Sequence, residues 1–218
     1  MTNITIVGIG HMGLGMALRL RDRGHALVVR DLDPAREHLA LQAGAGVMPD
    51  AAAAAQGSAL LIVAVVDAAQ TEEVLFGERG AVHGLTAGST VMLCPTLAPQ
   101  TVEACAARLA GHGIECIDAP MSGGPVRARD GTMSLMVACA DAVFQRWQPL
   151  LSDLSTQLFR IGPTPGDGAR TKLANNLRAA INLAGAAEAL ALAQRLGLGP
   201  DWHARGDRGI QRSELDRQ

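Results

Sequence analysis

Ile4-Thr5-Ile6-Val7-Gly8-Ile9-Gly10-His11-Met12-Gly13 decides how this chain is read. A short apolar and β-branched run enters a G-x-G-x-x-G turn, and a helical pattern opens directly behind it. The glycines have separable duties. Gly8 permits the tight turn, Gly10 lets the backbone approach a pyrophosphate, and Gly13 lets helix and strand pack closely. The helix N-terminus offers free N–H groups to phosphates, so His11 and Met12 count with the glycines as cofactor-side residues. An ordinary glycine-rich turn is the alternative, and the strand-turn-helix context argues against it. The His11 side chain by itself reads as a solvated loop residue.

Outward from this loop, hydrophobic runs and helical patterns alternate. Strands are predicted at 4–7, 26–29, 60–66, 90–93, 114–117, 133–137 and 158–161. Helices are predicted at 12–24, from an Asp33 N-cap with Pro34 at the first helical position to just before Gly44, and at 99–111. Such alternation implies βαβ units with right-handed crossovers, hence an α/β fold of the Rossmann type with a doubly wound, mainly parallel sheet. Gly162-Pro163-Thr164-Pro165-Gly166 forms a turn-rich joint. Beyond it lies a helical pattern over 169–196, about 40 Å long at 1.5 Å per residue. The implied organisation is a nucleotide-binding domain at 1–163, an interdomain helix and the start of an all-α domain at 164–199, and an irregular Arg- and Asp-rich tail at 200–218.

Composition narrows the function. With 48% apolar residues but three Phe, two Trp and no Tyr, the core must be built from Ala, Val, Leu, Ile and Met. A formal charge of −2 without blocks of like charge gives no electrostatic footprint for nucleic acid, so a small soluble ligand is expected. The apolar run 59–66 is too short to span a bilayer, and no basic n-region precedes the first strand. Cys94, Cys105, Cys116 and Cys139 form no C-x-x-C pair and read as reduced, mostly buried thiols of a cytoplasmic protein. No metal site is expected.

Three further constellations carry chemistry. Asp31 lies 18 residues after Gly13 at the end of the second strand, where a carboxylate accepts hydrogen bonds from ribose hydroxyls and repels a 2′-phosphate. NAD is thereby favoured over NADP, although Arg30 would serve a 2′-phosphate if the loop turned differently. Ser122, Gly123 and Gly124 form a second glycine turn whose N–H groups and hydroxyl suit a carboxylate; a structural hairpin would look the same. Lys172, Asn175 and Asn176 open the long helix, with Lys172 and Asn176 four apart on one face. A partly desolvated lysine there is a candidate general acid/base, and a solvated lysine is the plainer reading.

Together these motifs resemble the β-hydroxyacid dehydrogenase family, which includes 3-hydroxyisobutyrate dehydrogenases and tartronate semialdehyde reductases. Residues 6–13 look like its cofactor signature. Asp118-Ala119-Pro120-Met121-Ser122-Gly123-Gly124-Pro125, followed by Gly131-Thr132, is similar to its substrate segment, and Gly166-Asp167-Gly168 with Lys172-Leu173-Ala174-Asn175-Asn176 to its catalytic helix. The resemblance implies hydride transfer between NAD(P) and a small 3-hydroxy acid. Lys172 would be the acid/base, Asn176 would orient the substrate, and Ser122, Gly123 and Gly124 would hold its carboxylate. Val65 and Val66 would line the adenosine side, and Thr96 would sit near the nicotinamide.

Val65-Val66 stands where many members have Leu-Pro, and Pro95-Thr96 where many have Ser-Thr. Asn175 replaces the histidine of 6-phosphogluconate dehydrogenases, which favours smaller hydroxy acids. Lys172 and the Ser122-Gly123-Gly124 turn argue against an imine reductase. The resemblance stops near Leu198, where family members continue through further helices. The expectation is therefore a C-terminally truncated chain that binds dinucleotide, turns over little, and forms a homo-oligomer through its exposed long helix. A non-catalytic remnant is the rival reading.

Overall fold

A computed structural model describes residues 3–198. The predicted tail at 200–218 lies outside the described residues. Two compact units divide the chain, Met1–Leu173 and Ala174–Gln218.

The first unit is an α/β domain around one nine-stranded, mainly parallel sheet. Its strands are β1 (Ile4–Val7), β2 (Leu27–Arg30), β3 (Gly46–Val47), β4 (Leu60–Val63), β5 (Thr90–Leu93), β6 (Glu115–Asp118), β7 (Met121–Ser122), β8 (Ser134–Ala138) and β9 (Gln157–Gly162). Their order is β3-β2-β1-β4-β5-β6-β8-β7, with β9 paired to β8. The first six positions are the 3-2-1-4-5-6 order of dinucleotide-binding folds, whose strand order reverses between β1 and β4. Only around β8 does direction change: β6 and β7 pair with it antiparallel, and β9 parallel.

Helices cover both faces, which explains why β1, β4 and β5 are continuously apolar or β-branched and buried throughout. Ile4, Ile6, Leu60, Ile62 and Met92 face one core. That core is closed by α1 (His11–Asp22), α2 (Pro34–Gln42), α6 (Gly124–Asp130) and α7 (Asp141–Leu154). Val7, Leu61, Val63, Val91 and Leu93 face the other. It is closed by α3 (Ala51–Ala55), α4 (Ala68–Phe76), α5 (Pro99–Gly111) and Ala169 at the start of α8 (Asp167–Arg195). The alternation follows from the period of two in a strand.

Register matters most for function. Val7 pairs with Arg30 and Val63, Val63 with Leu93, and Leu93 with Asp118. The carboxyl ends of β2, β1, β4, β5 and β6 thus form one level row, and the loops that follow open along one edge of the sheet.

The structure departs from the sequence reading in local ways. β2, β6 and β8 begin one residue later than predicted, and α8 begins at Asp167 instead of 169. β4 ends at Val63, not 66, because the Ala64 N–H donates the last rung to Val7 (2.9 Å) and the chain must then clear the glycine loop. The two-residue strands β3 and β7 and the five-residue helix α3 are too short for periodicity to reveal. Gly123-Gly124 does not turn a hairpin: β7 ends at Ser122 and α6 starts at Gly124.

Gly13 sets how closely α1 approaches β1. A Cβ on Gly13 would overlap the carbonyl oxygen of Gly8 and lie 3.0 Å from its carbon. Gly13→Ala is therefore expected to lower stability by about 1–3 kcal/mol, the usual cost of overpacking. Gly111→Ala, with open space at its Cβ position in α5, is expected to be neutral or stabilising. Thermal unfolding of both variants checks this; equal melting temperatures would remove the packing argument.

Candidate active site

The glycine loop leaves β1 with Gly8 at φ +88°, in the left-handed region. Its N–H donates to the Arg30 carbonyl (2.9 Å), while a Cβ there would meet Val65 Cγ1 at 2.8 Å. Glycine is needed for both reasons. Gly10 is the N-cap of α1, without a side-chain hydrogen bond, so the first amides of α1 lack a capping group from that position.

Asp31 follows β2 and ties the two loops together. Its Oδ2 accepts from the Ile9 N–H at 2.6 Å and its Oδ1 from the Asp33 N–H at 2.9 Å. Asp33 caps α2 through the Ala35 N–H (2.9 Å), as the sequence predicts. The two aspartates therefore do different work. Arg30 pairs with Glu37 at 2.8 Å and donates to the Asp31 carbonyl, which commits its guanidinium to its own loop.

A cavity of about 370 Å³ opens beside the loop, and Gly8, Gly10, Asp31, Val65 and Val66 line it. Sequence reasoning missed Leu32, Arg36, Gln70 and Arg79, which line it too. Leu32 and Val66 leave apolar side chains 89% and 78% exposed at its rim, a surface suited to a flat heterocycle. Gln70 accepts from the Val66 N–H (3.0 Å) and fixes that loop. Arg36 lies against Gly10, whose Cβ position is 3.0 Å from a guanidinium nitrogen. A usable signal existed for two of them: Leu32 directly follows Asp31, and Arg36 lies three residues beyond the Asp33 cap.

The other predicted residues lie outside this cavity's lining. His11 is exposed at the first position of α1, Met12 packs partly against the core, and Gly13 is buried. Thr96 is exposed after β5, between buried Pro95 and Leu97. Ser122 is half-buried opposite Ser134, and Gly123 and Gly124 take φ of +126° and +78°. These glycines follow Asp118, the last member of the strand-end row. Asn176 is exposed, on the part of α8 in the second unit.

Lys172 stands apart. It is 9% exposed, and burial holds its amine below the ordinary lysine range. No carboxylate pairs with it among the described residues. It is also the sole lysine of the chain; the rest of its 19 basic residues are arginines. Arginine keeps its proton at any working pH, whereas a desolvated lysine can release one. That signal was open to the sequence reading and was missed.

Asp118, 1% exposed, accepts from the Gly166 N–H (2.8 Å) and the Ala169 N–H (3.0 Å). Burial pushes its carboxyl up, while the amides of Ala169, Gly166 and Gly168 pull it down. Among the described residues no cluster of His, Cys, Asp and Glu could hold a metal ion, and no helix is long and apolar enough to cross a membrane. Burial also raises the Cys94, Cys116 and Cys139 thiols, the last to about 11, which suits packing rather than nucleophilic chemistry.

Strand order, glycine loop and terminal acid define a dinucleotide-binding domain. Residues 3–162 match the family described as the NAD binding domain of 6-phosphogluconate dehydrogenase. The chain is 40% identical over 197 residues to an L-threonate dehydrogenase of Escherichia coli (strain K12), an alignment covering 90% of this chain and 65% of that protein. It is 36% identical over 194 residues to the 2-hydroxy-3-oxopropionate reductase of the same strain, covering 89% of this chain and 66% of that one. The crystal structure of a 3-hydroxyisobutyrate dehydrogenase from Salmonella typhimurium superposes with a TM-score of 0.83 at 36% identity, over 91% of this chain and 69% of that one. The chain belongs to the β-hydroxyacid dehydrogenase family and spans about two thirds of the length of these relatives.

Because Lys172 is the sole lysine, its titration is directly measurable. Labelling with an amine-directed reagent, followed at the Lys172 peptide by mass spectrometry, is expected to give a midpoint below the free-lysine value of about 10.4. A midpoint at that value would mean that burial does not act on the amine.

Proposed function

We propose that the chain binds NAD, with NADP second, at the carboxyl edge of the sheet and oxidises a small 3-hydroxy acid to its semialdehyde or keto acid, reversibly. The observation that carries this is Lys172, the sole lysine, held with its amine below the ordinary range. The relatives' printed activities, on threonate, 2-hydroxy-3-oxopropionate and 3-hydroxyisobutyrate, support a short hydroxy acid.

The cavity fits the cofactor. Gly8 has no room for a Cβ, and Gly10 presents bare backbone beside the Arg36 guanidinium. In this reading Gly8, Gly10, His11, Met12 and Gly13 form the pyrophosphate loop through main-chain N–H groups and close packing. Arg36 adds a positive charge to the phosphate path. Asp31 accepts from the adenosine ribose hydroxyls, exchanging its bond to the Ile9 N–H for them. Val65 and Val66 flank the adenosine, and Thr96 borders the nicotinamide. NAD supplies the hydride-accepting carbon when bound.

Ser122, Gly123 and Gly124 hold the substrate carboxylate, and Lys172 takes the hydroxyl proton as hydride departs from the carbinol carbon. Asn176 is assigned to substrate orientation from the family resemblance. The exposed Leu177, Ile181 and Leu183 of the second unit favour assembly of copies through this helix, which light scattering tests. Free, mostly buried cysteines are in keeping with a cytoplasmic setting.

Lysine accepts a proton only when neutral. Lowering its pKa enlarges the neutral fraction, so hydroxy-acid oxidation is expected to rise with pH through that pKa and level off above it. Carbonyl reduction needs the protonated amine and is expected to fall across the same interval. Lys172→Ala is expected to slow NADH formation roughly 10²- to 10⁴-fold with NADH affinity unchanged. Turnover near that of the wild type would exclude the role.

Asp31→Ala is expected to weaken NAD binding at least tenfold, about 1.4 kcal/mol, while NADP binding holds or improves. Titration of both dinucleotides into the unmodified chain gives the reference, and tighter NADP binding there would overturn the assignment.

A further inference from the structure

Gly166-Asp167-Gly168 precedes Lys172, and Asp118 precedes Ser122 by four residues. The fold joins these two stretches, 48 residues apart, through one oxygen: Asp118 Oδ2 accepts both the Gly166 and the Ala169 N–H. Each glycine has its reason here. Gly166, at φ +107°, adopts a backbone conformation that disfavours a side chain. A Cβ on Gly168 would lie 2.7 Å from the Met136 carbonyl oxygen and 2.9 Å from Asp118 Oδ2, so only glycine lets α8 close onto β8 and the carboxylate.

Gly168, Ala169 and Lys172 are the buried residues at the start of α8, at the i, i+1, i+4 spacing of one helix face. Asp118 therefore grips the face from which the lysine projects. No cation pairs with it among the described residues, although a buried unpaired carboxylate is costly. Capping alone does not call for such a group, since an exposed Ser, Thr or Asn in the adjoining chain does it cheaply. What a buried carboxylate adds is hydrogen bonds to the helix start, charge-assisted when it is ionised, from a strand end fixed in the sheet.

We propose that Asp118 is a positioning residue: by gathering the first amides of α8 at the end of β6, it sets where the Lys172 amine stands relative to the Ser122-Gly123-Gly124 turn. This rests on the reading of Lys172 as the acid/base and adds the device that places it.

The test uses the full chain, with Asp118→Asn as the nearly isosteric variant and Gly168→Ala as a second that lifts the helix start with Asp118 intact. Three quantities are read on folded protein: the pH midpoint of Lys172 labelling, NADH affinity, and kcat and KM for hydroxy-acid oxidation. Both variants are expected to raise the midpoint toward the free-lysine value and to lower kcat at least tenfold, about 1.4 kcal/mol of barrier, with NADH affinity held. A variant that melts earlier but keeps the wild-type midpoint and kcat would show a merely structural contact and overturn the proposal. Failure of both variants to fold would overturn it as well, making the contact a folding determinant. A wild-type midpoint already at the free-lysine value removes the acid/base reading itself. A low wild-type midpoint that neither variant shifts removes the Asp118 proposal alone.

Discussion

The close approach of α1 to β1, possible because Gly13 has no side chain to set against the Gly8 carbonyl, is the constraint on which the rest depends. It brings the first turn of a helix to the carboxyl end of a central strand. Free N–H groups and the positive end of the helix dipole then face the same edge as the loops after β2 and β4. With the helix displaced by even one methyl group, the loop would lose its turn and the cavity beside it a wall. The level strand ends extend the arrangement across the sheet, from Arg30 through Val7, Val63 and Leu93 to Asp118.

Two carboxylates at that edge share a physical logic. Asp31 and Asp118 both spend their oxygens on main-chain N–H groups distant in sequence. Asp31 links the β2 loop to the glycine loop and stays half-exposed, where the proposed function has it exchange its partner for a ligand hydroxyl. Asp118 is sealed, and its partners are the start of a helix. In the proposed roles one serves exchange and the other fixity, and the difference in burial is what separates them.

Charge chemistry separates Lys172 in the same way. Where a cation only has to pair or pack, the chain uses arginine: Arg108 over Phe76 and against Glu72, Arg160 with Asp141, Arg170 with Glu103 and Asp167. Ammonium, unlike guanidinium, gives up its proton when desolvated, and the single lysine lies at a buried position.

Local chemistry was legible from the residues themselves. The glycine loop, the Asp33 cap, α5 from Pro99 to Gly111 and the strands β1 and β5 stand where propensity and periodicity put them, because each is determined within a few residues. Two-residue strands and α6 were not legible, since pairing of β3 with β2 and of β7 with β8, and packing of α6 on α1, rather than their own sequence, hold them in place. The sequence by itself determined the order of elements, the glycine loop, the terminal acid and the lone lysine. Tertiary structure alone decided that Gln70 and Arg79 share a cavity with Asp31, and that Asp118 takes the amides of Gly166 and Ala169. Such partners lie far apart along the chain, and only a level sheet closed by helices brings them to one edge, where Asp118 comes within the 3 Å that a hydrogen bond requires.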